Sequence, residues 1–136
     1  MEELELTKEN IIKYFDKVKG FNKHNNFHIE ELTDDKVILY ADIDENSMNP
    51  NNTVHGGLIF ALCDTAMGTL CYATGTKGVT VDSNISYLKP CTGKKLKCVA
   101  IPVKIGKTIG VYKAEIYNEK DELAAISTAN YMFIKW

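Results

Sequence analysis

One carboxylate stands alone in a long apolar run. From Gly57 to Gly75 the only charged residue is Asp64. Upstream, a polar stretch beginning at Asn49-Pro50-Asn51-Asn52-Thr53-Val54 passes through His55-Gly56-Gly57 into that run. A carboxylate in apolar surroundings is costly unless it is paired or hydrogen-bonded. Two readings of Asp64 stand side by side: a contact that orients the core by bonding a nearby hydroxyl, or a chemically active group. The glycines bear on the second. At the start of a helix they leave main-chain N–H groups bare and approachable, at the positive end of the helix dipole. Donors placed this way stabilise an oxyanion.

These groups need a helix to hold them. Leu58, Ile59, Ala61, Leu62, Thr65, Ala66, Thr69 and Leu70 keep helical spacing, while Phe60, Cys63 and Met67 fill the other side. A helix apolar nearly all round is buried. The run is short for a bilayer and interrupted by Gly and Thr, so no membrane span is expected. Ahead of it, Thr7 as N-cap, Ile11, Ile12, Phe15 and Val18 at helical spacing and Gly20 as a stop predict a short amphipathic N-terminal helix. Residues 21–26 read as a polar turn. Strands are expected over 27–32 and 37–43, the second alternating Val37, Leu39, Ala41 and Ile43 against Ile38, Tyr40 and Asp42.

After Gly75 the period changes to two. Residues 78–88 place Val79, Val81, Ile85 and Tyr87 near one face and Thr80, Asp82, Asn84 and Ser86 on the other, with Lys89-Pro90 ending the strand. Residues 96–105 switch parity near Pro102, which predicts a bulge or an edge position there. Strands over 107–117 and 123–135 are joined by the turn Asn118-Glu119-Lys120-Asp121. Successive strands with short turns make an antiparallel sheet. The expected class is α+β, a single domain over residues 1–136: one antiparallel sheet wrapped around one long central helix, with a short N-terminal helix. Open sheet edges favour a homo-oligomer.

At 136 residues, 45% apolar and 25% charged, the composition is that of an ordinary globular domain. A net charge of -2 gives no reason to expect a nucleic-acid partner. The acidic start Met1-Glu2-Glu3-Leu4-Glu5-Leu6 is unlike a signal peptide. Cys63, Cys71, Cys91 and Cys98 form no C-x-x-C pair and read as reduced core thiols of a cytoplasmic protein. His24 and His28 lack a third ligand, so no metal is expected.

Asn49, His55-Gly56-Gly57 and Asp64, followed by Gly78-Val79-Thr80-Val81-Asp82 and Tyr87-Leu88-Lys89-Pro90, resemble the hotdog-fold acyl-CoA thioesterases, more narrowly their PaaI and Them2-type branch. The resemblance covers roughly residues 20–135. It implies hydrolysis of acyl-CoA thioesters, without metal or cofactor, at a site shared between two subunits of a dimer or a dimer of dimers. Position by position, Asp64 matches the carboxylate that activates water or attacks directly. Gly56 matches the glycine whose N–H holds the thioester oxygen. Asn49 and His55 match residues that position the carbonyl or the sulfur, and Thr80 falls where some members carry a water-placing serine. Asn52 stands where some relatives have Gly, and both tolerate left-handed backbone. Gly57 and Leu58 are expected at the substrate, Leu58 with Leu62 and Met67 in an apolar acyl tunnel. Lys89, in a cluster with Lys94, Lys95 and Lys97, and Lys107, near where many relatives carry Arg, are candidates for the CoA phosphates. A solvated strand edge is the plainer reading of the cluster. Tyr72, Tyr87 and Tyr131 read as core or interface packing.

The separation of Gly56 and Asp64 carries its own consequence. Eight residues of helix at ~1.5 Å each span about 12 Å, and one carbonyl group cannot touch both. Two antiparallel copies of the helix would bring the glycine of one to the carboxylate of the other. Two other functions belong to different classes: a non-catalytic acyl-CoA sensor, and a hotdog hydratase or dehydratase. The first would need a DNA-binding module for which the N-terminal helix is too small. The second would want a His acid/base facing a carboxylate rather than Gly-Gly before an Asp.

Overall fold

Thr7 starts the first helix. Its hydroxyl accepts the Asn10 N–H at 3.1 Å, capping α1 (Lys8–Lys17). The computed structural model describes residues 5–134; Lys135 and the acidic segment 1–4 lie outside the described residues. After α1 come a one-turn helix α2 (Phe21–His24), strands β1 (Phe27–Leu32) and β2 (Val37–Asp42), a 3-10 turn (Glu45–Ser47) and the long helix α3 (Gly56–Ala73). Four strands follow: β3 (Lys77–Tyr87), β4 (Lys95–Ile105), β5 (Ile109–Tyr117) and β6 (Leu123–Ile134). They form one six-stranded sheet in the order β1-β2-β4-β5-β6-β3, with antiparallel pairing at each ladder. This is the α+β hotdog arrangement, a sheet wrapped around α3.

The core lies between sheet and helix. Val37, Leu39 and Ala41 of β2, Leu96, Cys98 and Ala100 of β4, and Tyr112, Ala114 and Ile116 of β5 are buried on the helix-facing side. They meet Leu62, Cys63, Ala66, Met67 and Leu70 of α3, all fully buried. Alanines and cysteines at the crossing points let the backbone of the sheet approach the helix closely. By length and mean hydropathy, 1.3, α3 would also serve as a membrane span, but here half of it is buried against the sheet. All four cysteines are free and buried. Burial pushes the Cys71 thiol up to about 11.

Two local features depart from the alternation pattern. Residues 21–26, expected as a turn, include α2, because the Asn25 side chain donates to the Phe21 carbonyl at 2.8 Å and the Phe21 ring sits edge-on to Phe27. Within β3 the register against β6 shifts between Thr80 and Asp82, leaving Val81 as the extra residue of a bulge. Before the bulge Thr80 faces the helix; after it the phase inverts, and Ser83, Ile85 and Tyr87 do. The expected grouping of Thr80 with Asp82, Asn84 and Ser86 therefore does not hold. The parity fault in β4 is a bulge, with the register shifting between Pro102 and Lys104.

Candidate active site

Helix α3 opens on a tightly built loop. The Asn49 carboxamide accepts the N–H groups of Asn51 and Thr53 at 2.9 and 3.1 Å, and donates to the Thr53 hydroxyl at 2.8 Å. Asn52 takes the left-handed backbone that its side chain tolerates, with φ 61°. His55 then caps the helix: its Nδ1 accepts the Gly57 N–H at 2.8 Å. That bond needs a bare lone pair on Nδ1, so the neutral ring carries its proton on Nε2, which has no partner among the described residues. Gly57 lacks a side chain for a reason, since a Cβ would lie 2.9 Å from His55 Nδ1.

The N–H groups of the first turn are thus divided. Gly57 donates to the His55 ring, and Leu58 and Ile59 donate to the His55 carbonyl at 3.0 and 3.2 Å. Gly56 alone keeps an unpartnered N–H among the described residues of that turn. Its carbonyl is held from the other side, where the Tyr87 hydroxyl donates to it at 2.6 Å. Asn49, Gly56, Ile59, Tyr87, Lys89 and Cys91 line one shallow cleft at this end of the molecule.

Two turns further along, Asp64 sits half-buried on the side of α3 nearest β3. Its Oδ1 accepts the Thr80 hydroxyl at 2.7 Å and the Tyr131 hydroxyl at 2.6 Å. Tyr131 also lies 2.9 Å from the main-chain carbonyl of Asp64. Oδ2 has no partner among the described residues. Gly57, Phe60, Ala61, Asp64 and Gly68 fall on one side of the helix and are only partly covered or exposed. They form a strip running from the glycine end past the carboxylate.

One chain therefore brings the expected residues together in two groups. Asn49, His55, Gly56, Gly57 and Lys89 gather at the helix start; Asp64 and Thr80 gather at its middle. Lys89 is ion-paired with Glu122. Leu58, Leu62 and Met67 are packed into the core, so within one chain they line no tunnel. Lys107 is exposed in the turn between β4 and β5, close to Phe133 and so at the far end of α3 from Gly56. The lysine cluster divides, because Lys95 lies over the Tyr40 ring at 3.9 Å and lines a separate depression with Lys97. Sequence reading missed Tyr87 and Tyr131 as members of the site. Their contacts with Gly56 and Asp64 join positions 31 and 67 residues apart, beyond any local spacing. Among the described residues no group of three His, Cys, Asp or Glu is placed to hold a metal ion.

Comparison with known proteins identifies the family. The profile described as Thioesterase superfamily matches residues 51–125. Acyl-coenzyme A thioesterase 13 of Mus musculus is 31% identical over 117 residues, spanning 80% of this chain and 81% of that protein. A thioesterase of Haemophilus influenzae shares the fold with a TM-score of 0.86 at 24% identity, over 95% of this chain and 91% of that one. A hypothetical thioesterase of Streptococcus pneumoniae, solved with coenzyme A, has a TM-score of 0.76 at 29% identity, over 79% of this chain and 88% of that one. Two further structures of the pneumococcal protein carry alanine in place of an aspartate and of a threonine 16 residues beyond it. The chain thus belongs to the thioesterase superfamily and has its hotdog fold.

Proposed function

We propose that the protein hydrolyses acyl-CoA thioesters to the free acid and CoA, at sites each completed by two copies of the chain. The observation that carries this is the division of labour along α3. An unpartnered N–H at Gly56 starts α3, and a carboxylate with one free oxygen at Asp64 stands two turns along the same helix. They are about 12 Å apart at ~1.5 Å per residue, too far to serve one carbonyl. A two-fold axis that sets two α3 helices side by side and antiparallel brings the Gly56 of one copy to the Asp64 of the other. The free edge of β3 supports such an axis. It is 11 residues long, no strand lies beyond it among the described residues, and it carries the exposed Val79 and Val81.

In this reading the carbonyl oxygen of the thioester lies against the Gly56 N–H, which stabilises the charge that develops there on attack. The free oxygen of Asp64 takes a proton from water as water adds to the carbonyl carbon, or itself adds to that carbon. Collapse of the tetrahedral species breaks the C–S bond and releases the CoA thiolate, which takes up a proton. Where water was the nucleophile, this gives the acid directly; where Asp64 was, water then hydrolyses the mixed anhydride to the acid and frees the carboxylate. His55, with its proton on Nε2, donates toward the carbonyl or the sulfur, and Asn49 sets the loop that carries it. Gly57 acts by its smallness, leaving room for the His55 ring. Phe60, Ala61 and Gly68 offer the acyl group an apolar strip. Lys89 and Lys107, at opposite ends of α3, come near one CoA only across the two-fold. The pneumococcal structure with coenzyme A and its variants, spaced like Asp64 and Thr80, support both the ligand and the pair.

The test is complementation between two inactive chains. Asp64→Ala removes the base. Gly56→Pro removes the N–H at the first helical position, where the backbone suits proline, and its Cβ also crowds the Tyr87 hydroxyl. Each variant alone should release no thiol from acyl-CoA above background. After mixed refolding, half the dimers are heterodimers with one intact site, so roughly a quarter of the parent rate should return. A mixture no more active than either parent variant would refute the shared site.

A further inference from the structure

Tyr131 is 2% exposed in the middle of the core. Its ring is held edge-on by Tyr112, with centroids 5.5 Å apart, and it closes the space beside Gly68. A phenylalanine would fill that volume equally well, so it is the hydroxyl that needs a reason. A buried hydroxyl without a partner is costly, and both oxygens within its reach belong to Asp64. One O–H hydrogen serves one strong acceptor. At 2.6 Å the carboxylate oxygen is the stronger choice over the carbonyl at 2.9 Å.

Thr80 reaches the same oxygen, and the two donors are not independent. Thr80 and Tyr131 are directly opposed across the β3–β6 ladder. One cross-strand pair therefore delivers two hydroxyls to a single carboxylate oxygen. Burial and the adjacent carboxylate push the Tyr131 phenol far above its ordinary value, which keeps it a donor at any working pH. With Oδ1 doubly occupied, the side chain cannot rotate about χ2 without losing both bonds.

We infer that Tyr131 is the positioning residue of the hydrolytic carboxylate, its hydroxyl fixing Asp64 so that Oδ2 alone is presented to substrate and water. The inference rests on the role of Asp64 proposed above. It assigns the tyrosine no contact with the reacting atoms. Its effect is on the geometry of the base, and so on turnover rather than on binding.

The experiment compares Tyr131→Phe, Asp64→Asn and the double variant with the parent, measuring kcat, KM and the Kd for CoA alone. Losing a hydrogen bond to a charged group should lower kcat roughly 10- to 100-fold. KM and the Kd for CoA should stay within about twofold, as uniform binding is untouched. In the Asp64→Asn background Tyr131→Phe should cost nothing further. A kcat for Tyr131→Phe close to the parent's, with Asp64→Asn inactive, would overturn this inference and leave the proposed function standing. Full activity in Asp64→Asn would remove the proposed function itself. A second measurement does not depend on how the phenylalanine variant folds. In the parent the Tyr131 hydroxyl proton should appear as a slowly exchanging, strongly downfield resonance, and it should move upfield in Asp64→Ala, where only the main-chain carbonyl remains to accept it. No such resonance in the parent, or an unchanged one in Asp64→Ala, equally overturns the inference.

Discussion

Gly56 has almost no freedom of side chain. A Cβ there would lie 3.1 Å from the Tyr87 hydroxyl oxygen and 3.2 Å from the ring carbon that bears it. Gly56→Ala would therefore shift the Tyr87 hydroxyl by a few tenths of an ångström and weaken its bond to the Gly56 carbonyl. Tyr87→Phe removes the same bond while leaving the glycine in place. Each should lower kcat/KM by up to roughly 5-fold, the worth of one neutral hydrogen bond of ~1 kcal/mol. Steady-state thiol release from acyl-CoA checks both. An unaffected Tyr87→Phe alongside an impaired Gly56→Ala would assign the damage to bulk rather than to the lost bond. At this scale the two readings of Asp64, hydroxyl-bonded core contact and chemical group, do not exclude each other. The hydroxyls of Thr80 and Tyr131 that satisfy one oxygen leave the other open. Asn49, expected as a site residue, ties the loop together and lines the cleft beside Gly56.

Among the elements, α3 was the most legible, because an apolar surface all round and a capped glycine start admit few alternatives. Its burial has a measurable weight. Leu62 is fully buried between helix and sheet, and Leu62→Ala should cost about 2–5 kcal/mol through lost contacts and a residual cavity. Urea unfolding monitored by circular dichroism would show it as a lowered midpoint. Strand β2 was equally legible, since Val37, Leu39 and Ala41 alternate cleanly and all lie on the helix side. The bulge in β4 announced itself through Pro102 and a change of parity. That in β3 did not. Val79, Thr80, Val81 and Asp82 alternate without a flaw, and only pairing with β6 reveals that the count slips at Val81. Nor was α2 visible, as its single turn depends on a side-chain bond from Asn25 and on the Phe21–Phe27 contact.

For the molecule as a whole, the outer edge of β3 matters most. Val79 is 40% exposed and Val81 58%, on a long strand with no neighbour beyond it among the described residues. At an unpaired edge such residues invite another strand, and charge is what discourages it. The double substitution Val79→Lys, Val81→Lys should shift the sedimentation coefficient to that of a single chain. Hydrolysis should be lost with it, since half of each site departs. A single-chain species that still cleaves acyl-CoA would separate assembly from activity. The sequence showed this edge only in outline: open edges were expected, but which strand would hold one depends on the crossover that carries β3 past the rest of the sheet.

The bulge at Val81 sets a rule about length. Thr80 and Tyr87 lie an odd number of positions apart, and in an unbroken strand they would point in opposite directions. Both reach α3 because the extra residue between them absorbs the half-step. Homologous chains can therefore vary the composition of this segment widely, but insertions or deletions of a single residue should be purged from it. Any lineage that shortened it by one would have to move one of its two helix anchors elsewhere.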